Sequence, residues 1–244
     1  MDYARKRAKW ANERPGGLTG YECKRCLNRG YMMQAREDGS LVSVECRCMP
    51  IRRSLRLLER SGLAKLVPQC KFECFQTPES WQKTMLDKAR AFAADPDGRW
   101  FLASGTPGSG KTHLCTAICR ELMLRGNETR YMLWTDESKA LKACVNDAGA
   151  YKKRMNPLKT VPVLYIDDFL KCKSGEYPTA GDVNLAFEII NGRYMDRQLV
   201  TVISSEWYPD DLLEIDGALG SRIYERAKES TISIVGEGKN WRLK

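Results

Sequence analysis

The chain is almost without histidine: His113 is the only one in 244 residues. A metal site must therefore rest on cysteine, with Asp and Glu as lesser ligands. Long apolar runs are also missing, and none approaches the ~20 residues that cross a bilayer. The first 25 residues are polar and basic and hold no apolar stretch of the kind found in a secretory signal. Internal repeats and low-complexity tracts are absent. The expectation is a cytoplasmic protein with no membrane association, in a reducing compartment where ten cysteines stay free or bind metal. What is present is ordinary globular composition, 43% apolar and 29% charged, which excludes disorder and collagen-like structure for most of the chain.

Charge is uneven. Residues 1–80 carry 16 Lys/Arg against 9 Asp/Glu, whereas the rest carries 24 against 22, within a total of +9. A polyanion or an acidic protein surface suits the basic end. Texture changes along the chain as well. Residues 1–50 are rich in Gly and Cys, with little helical period. A helix is expected from Arg52 to Leu66, with Leu55, Leu58, Leu63 and Leu66 near one face and Pro68 ending it. A second helix is expected over 79–94. From Arg99 onward, apolar strands at 100–104, 129–134, 161–167, 200–205 and 231–235 alternate with helices at 111–125, 136–153, 179–196 and a shorter pair within 209–227. Such alternation predicts an α/β fold, a parallel sheet covered on both faces.

Gly105-Thr106-Pro107-Gly108-Ser109-Gly110-Lys111-Thr112 fits G-x-x-x-x-G-K-[ST] in full, with a strand before it and an amphipathic helix after it. Its glycines let backbone N–H groups face phosphate oxygens, and the helix amino end adds partial positive charge. Lys111 is expected to reach the β and γ phosphates of ATP or ADP and Thr112 to place its hydroxyl on Mg²⁺. His113 follows directly, is counted with Gly105 to Thr112 in the nucleotide-binding segment, and is expected to pack on the helix rather than to act in catalysis. A second element, Val163-Leu164-Tyr165-Ile166-Asp167-Asp168, delivers two carboxylates at a strand's carboxyl end. Asp167 suits Mg²⁺, and Asp168 suits orientation of an attacking water. The strand ending Ser204-Ser205-Glu206 faces the γ-phosphate if it lies between the other two.

At the amino end, Cys23-x₂-Cys26 and Cys46-x-Cys48 flank two short strand patterns around Asp38-Gly39, a hairpin signal. The hairpin brings the pairs together as a four-thiolate structural Zn²⁺ site, which organises a segment too short for a core of its own. An iron–sulfur cluster or free thiols are the alternatives. Cys70 and Cys74 suit a packed apolar linker, and Cys115 and Cys119 suit the core face of a helix. Arg5-Lys6-Arg7-Ala8-Lys9-Trp10 and Arg52-Arg53-x₂-Arg56 are candidate phosphate contacts, with Trp10 and Tyr21 as stacking residues, and Lys171 and Lys173 form a second candidate anion contact.

Gly105 to Thr112, Tyr165 to Asp168, Ile203 to Glu206 and Gly220 to Arg226 occur in the order of Walker A, Walker B, sensor 1 and box VII of AAA+ ATPases, which the chain resembles over about residues 70–244. Ile190-Asn191-Gly192-Arg193-Tyr194 is similar to the DnaC/DnaI-type helicase loaders, especially phage-encoded ones, and to the related IstB-type transposition helpers. The resemblance implies a sheet ordered 5-1-4-3-2 without a C-terminal lid, and ATP held between self-associating subunits. It implies a slow, partner-stimulated ATPase that places the replicative hexameric helicase of DnaB type on single-stranded DNA. It puts Arg222 at the arginine-finger position, with Arg226 as the nearby second candidate. Glu206 stands where many relatives carry an Asn, so Ser205 is expected to share or take the sensor role. Asp168 stands where most AAA+ proteins use Glu. The cysteine pattern is similar to that of zinc-bearing loaders, whose amino-terminal part docks the helicase. Docking is thus favoured over DNA contact for this end. The expected organisation is a zinc-binding module at 1–50, a linker helix at 51–78 and an AAA+ ATPase domain at 79–244. An IstB-like transposase helper and a nucleotide-binding zinc adaptor without hydrolysis are the alternative functions.

Overall fold

A computed structural model describes residues 2–60, 69–173, 175–236 and 238–243, with side chains at 57–60 left out. The amino end is built from α1 (Asp2–Asn12) and an antiparallel hairpin of β1 (Tyr31–Ala35) and β2 (Leu41–Glu45). Gly39 takes φ +83° at the tip of the hairpin, as the Asp38-Gly39 signal requires. The helix α1 is a departure from the expectation of little helix in 1–50. Its inward positions are only Ala4 and Ala8, too small to register as an apolar period, yet both are buried. Asn12, at its end, donates to Met33 O at 2.9 Å and accepts from Met33 N at 2.9 Å, tying helix to hairpin.

The helix α2 (Cys48–Arg60) starts inside the second cysteine pair rather than at 52. The expectations for Leu63, Leu66 and the stop at Pro68, like the facing of Leu58, lie outside the described residues. Ile51 and Leu55 pack against Met123 and Tyr131. Ser54 Oγ accepts from Thr129 N at 2.8 Å. Arg52 is buried, donating to Thr19 O at 2.6 Å and Asn28 Oδ1 at 2.9 Å. Arg53 pairs with Glu45 at 3.0 Å and Glu128 at 3.1 Å. Arg53 ties the amino end to the large domain through Glu128, and Arg52 ties α2 to the loop at 19–28, which corrects their reading as phosphate contacts.

The large sheet runs β7-β3-β6-β5-β4, all parallel: β3 (Phe101–Gly105), β4 (Thr129–Leu133), β5 (Val163–Asp167), β6 (Val200–Ser205) and β7 (Thr231–Ile234). Counted in chain order within the sheet, this is 5-1-4-3-2. Strand alternation sorts the core into two layers. Phe101, Ala103, Tyr165 and Val202 face α3 (Ser80–Ala94) and α4 (Lys111–Leu124). Leu102, Met132, Ile166 and Ile203 face the other layer, α5 (Trp134–Ala143), α6 (Ala148–Thr160), α7 (Ala180–Tyr194), α8 (Pro209–Ile215) and α9 (Gly217–Ala227). One helix was expected over 136–153. It is two, because Asp147 caps a new start by accepting from Ala150 N at 2.9 Å. Arg193 is fully buried, and its guanidinium donates to Thr201 Oγ1, Leu158 O, Val161 O and Val200 O at 2.8–3.0 Å, clamping α6, α7 and β6.

Candidate nucleotide-binding site and cysteine cluster

The loop Gly105 to Gly110 joins β3 to α4 at the carboxyl edge of the sheet, where open α/β sheets bind ligands. Two of its three positive-φ glycines show why a side chain is excluded there. Gly105 has φ +104°, and a Cβ there would lie 2.2 Å from Ile234 O; Gly110 has φ +93°, and a Cβ there would meet the Phe75 ring at 2.7 Å. Thr106 N donates to Ile234 O at 3.1 Å and Ser109 Oγ to Thr106 O at 2.8 Å, which holds the wrap. Lys111 is buried and donates to Gly105 O at 2.6 Å and Thr106 O at 2.9 Å. Among the described residues no carboxylate pairs with it. Burial lowers its pKa, against the partial support of the Glu206 and Asp168 charges. A buried ammonium held only by loop carbonyls suits a phosphate, which would restore its charged form.

Asp167 closes β5 and is buried. Four hydroxyls surround it: Thr112 Oγ1 at 3.2 Å, Tyr131 at 3.1 Å, Tyr165 at 2.7 Å, and Ser204 Oγ in a short contact. Burial, then the Asp167 charge, raises the pKa of both tyrosines, so both stay protonated donors. Thr112 and Asp167 thus present two hard oxygens side by side, a fit for Mg²⁺. Asp168 takes φ +53°, an uncommon conformation for a residue with a Cβ, and its N–H donates to Ser204 Oγ at 3.1 Å. Lys171 bridges Asp168 at 3.0 Å and Glu206 at 3.1 Å. It is occupied by carboxylates rather than free for an anion.

Several expected residues are placed differently. Ser205 is buried on the opposite face of β6, where its hydroxyl donates to Phe169 O at 2.9 Å and accepts from Trp207 N at 3.1 Å. It is turned away from Asp167, and Ser204 occupies that place. Arg226 is buried over the Trp100 ring and donates to the carbonyls of Gly98, Tyr194, Asp196, Arg197 and Leu199. Such an arginine holds its own fold together and cannot reach a neighbour, which corrects its reading as a second finger. Arg222 is partly exposed on α9, lies 5.0 Å over Phe187, and donates to Ala218 O at 2.7 Å. His113 packs as expected, edge-on to Phe75, with its Nε2 hydrogen-bonded to Lys71 O at 2.8 Å. Sequence reasoning missed Trp241 and Arg242. With Phe75, His113 and the loop Gly108 to Gly110 they line a cavity of about 210 Å³, and Trp241 N donates to Gly108 O at 3.0 Å.

The four cysteines converge as the spacing predicts. Cys23, Cys26, Cys46 and Cys48 are buried with all sulfurs within 4.8 Å of one another. Cys23 Sγ lies 3.9 Å from Cys46 Sγ, and Cys26 Sγ lies 3.6 Å from Cys48 Sγ. A tetrahedral ion with Zn–S bonds near 2.3 Å sets S···S at about 3.8 Å, close to the spacing of these two pairs, so the four donors fit Zn²⁺. Burial opposes ionisation of Cys26, but the Gly30 amide at 3.3 Å and the neighbouring thiols outweigh it and bring its pKa down to about 6. Cys115 and Cys119 are buried on α4 as expected. No described helix is long and apolar enough to cross a membrane.

Comparison with known proteins agrees with this geometry. The phage-like element PBSX protein XkdC of Bacillus subtilis (strain 168) is 32% identical over 228 residues, 88% of this chain and 83% of that protein. The replicative helicase loader DnaC of Escherichia coli (strain K12) is 28% identical over 200 residues, 79% and 77% of the two chains. A crystal structure of the DnaC helicase loader superposes with a TM-score of 0.60 at 21% identity, covering 70% of this chain and all of that one. The model of the IstB-like ATP binding proteins matches residues 41–243. The chain belongs to that family, the AAA+ ATPases of the IstB and DnaC type.

Proposed function

We propose that the protein is an ATP-dependent helicase loader, which places a DnaB-type replicative hexamer on single-stranded DNA. The observation that carries the ATPase part is the convergence of Lys111, Thr112 and Asp167 around one glycine-wrapped loop. The loader part is supported by similarity to XkdC and DnaC across most of the chain. In this reading Lys111 leaves its loop carbonyls for the β and γ phosphates. Thr112 and Asp167 hold Mg²⁺, which when bound neutralises charge on the phosphate oxygens. Ser204, Tyr131 and Tyr165 fix the Asp167 carboxylate in place. Asp168 exchanges Lys171 for the attacking water and orients it; Glu206, on the same lysine, shares in that release. The cost of breaking this pair is a physical reason for slow turnover until a partner engages.

Arg222, partly exposed on α9, reaches a neighbouring subunit's γ-phosphate, so self-association through the ATP sites completes the reaction centre. The functional division is a Zn²⁺ module at 1–50 that docks the helicase, a linker at 51–78, and the ATPase domain at 79–244. The setting is the cytoplasm of a bacterium, with a phage-derived origin. The test is a pull-down of the host replicative helicase, with and without ATP. Nucleotide-dependent capture supports the reading, and no capture under either condition contradicts it. The family description favours one second reading, an IstB-like helper of a DNA transposase. A preference for duplex over single-stranded DNA separates it from the first.

A further inference from the structure

The arginines and aromatics of the amino end are not scattered over its surface. Arg7 and Trp10, three apart on α1, and Arg14 just beyond its end line one side of a cavity of about 690 Å³; Arg29, Tyr31 and Met33 line the other. Among the described residues no carboxylate lines it. Arg14 lies 3.5 Å over the Trp10 ring and Arg29 lies 5.4 Å from the Tyr31 ring, so the walls alternate planar cations with aromatic faces. Trp10 is 58% exposed and Tyr31 43% exposed, although each is large enough to bury. The floor is built. Arg29 donates to Asn12 Oδ1 at 2.9 Å and to Cys26 O at 3.1 Å, joining α1 to the cysteine cluster. Among the described residues Arg7 and Arg14 have no carboxylate partner, unlike Lys6, which pairs with Asp2 at 2.9 Å.

We propose that this groove between α1 and β1 binds a short run of single-stranded nucleic acid. Bases stack on the Trp10 and Tyr31 surfaces that Arg14 and Arg29 leave open, and phosphates lie on Arg7 and Arg14. The volume is that of a small-ligand site. Stacking calls for an unpaired base, since a duplex hides its base faces, and the guanidiniums match the anionic strand between bases. The inference rests on single-stranded DNA being a partner of the proposed loader and assigns that contact to the cysteine module. It departs from the family-based expectation, which favours protein docking over DNA contact for this end.

The test is fluorescence anisotropy of a labelled oligothymidylate with the full chain across a salt titration. Wild type, Trp10→Ala, Trp10→Tyr and the double variant Arg7→Ala/Arg14→Ala are compared, each checked by thermal melt. Trp10→Ala is expected to weaken binding about tenfold, while Trp10→Tyr keeps most of it. The double variant is expected to flatten the slope of log K against log salt by about 1.4. Unchanged affinity and slope in both alanine variants overturns the proposal, as does wild type that binds no oligonucleotide. It is also overturned if the variants keep the oligonucleotide and instead lose the purified helicase, which makes the groove a protein-docking surface. Failure of the loader reading looks different: wild type then binds oligonucleotide through this groove but captures no helicase.

Discussion

Two arginines four residues apart on α9 have opposite surroundings, and alanine substitutions should separate them. Arg226 is buried, stacks on Trp100, and donates to five backbone carbonyls drawn from the segments before β3 and before β6 and from the end of α7. Removing it strands several of those carbonyls at about 1–3 kcal/mol each, less what water recovers at the partly open ones, so Arg226→Ala is expected to cost ~3–5 kcal/mol. For a chain of this size that lowers Tm by roughly 6–20 °C. Among the described residues Arg222 makes one hydrogen bond, to Ala218 O, and it covers Phe187 from the partly exposed side. Arg222→Ala should cost under ~1 kcal/mol and leave nucleotide binding intact, while steady-state ATP hydrolysis falls. Thermal melts and phosphate-release assays on the two variants decide the matter. The reasoning is refuted if Arg226→Ala melts with wild type while hydrolysis vanishes, because Arg226 would then act across the interface.

Three further outcomes follow from the same geometry. Ser204→Ala removes a donor to Asp167, and should raise the Mg²⁺ needed for half-maximal ATPase about tenfold; Ser205→Ala should leave that requirement unchanged and lower Tm instead. Cys26→Ser should abolish stoichiometric zinc, read by metal analysis, and expose the hairpin to proteolysis while ATP binding persists. Because burial holds the Lys111 pKa below its ordinary value and a bound phosphate raises it, nucleotide binding takes up a proton between the two values. Affinity should therefore weaken on raising pH sooner than for an exposed lysine, as titrations at a series of pH values will report.

The phosphate loop was legible because its chemistry is written in adjacent residues: Gly105 to Thr112 need no tertiary information to be recognised. The cysteine cluster was legible for a related reason, since the Asp38-Gly39 turn folds one pair onto the other. What failed to show was parity and packing. Ser204 and Ser205 are adjacent on a fully buried strand, and no polar alternation marks which one faces Asp167. Arg222 and Arg226 share a helix, and only the position of Trp100 decides that one is internal. Arg52 reads as a basic surface residue until Thr19 and Asn28 fold over it. Trp241 and Arg242 reach the loop through the path of the chain after β7, for which the sequence carries no signal.

The central claim is that this chain grips ATP around Lys111. Calorimetric titration of Mg·ATP into the folded protein tests it most directly, with Lys111→Ala as the comparison. Saturable heat from the wild type and none from the variant is the result the geometry requires; silence from the wild type at millimolar nucleotide, or equal binding by both, contradicts it.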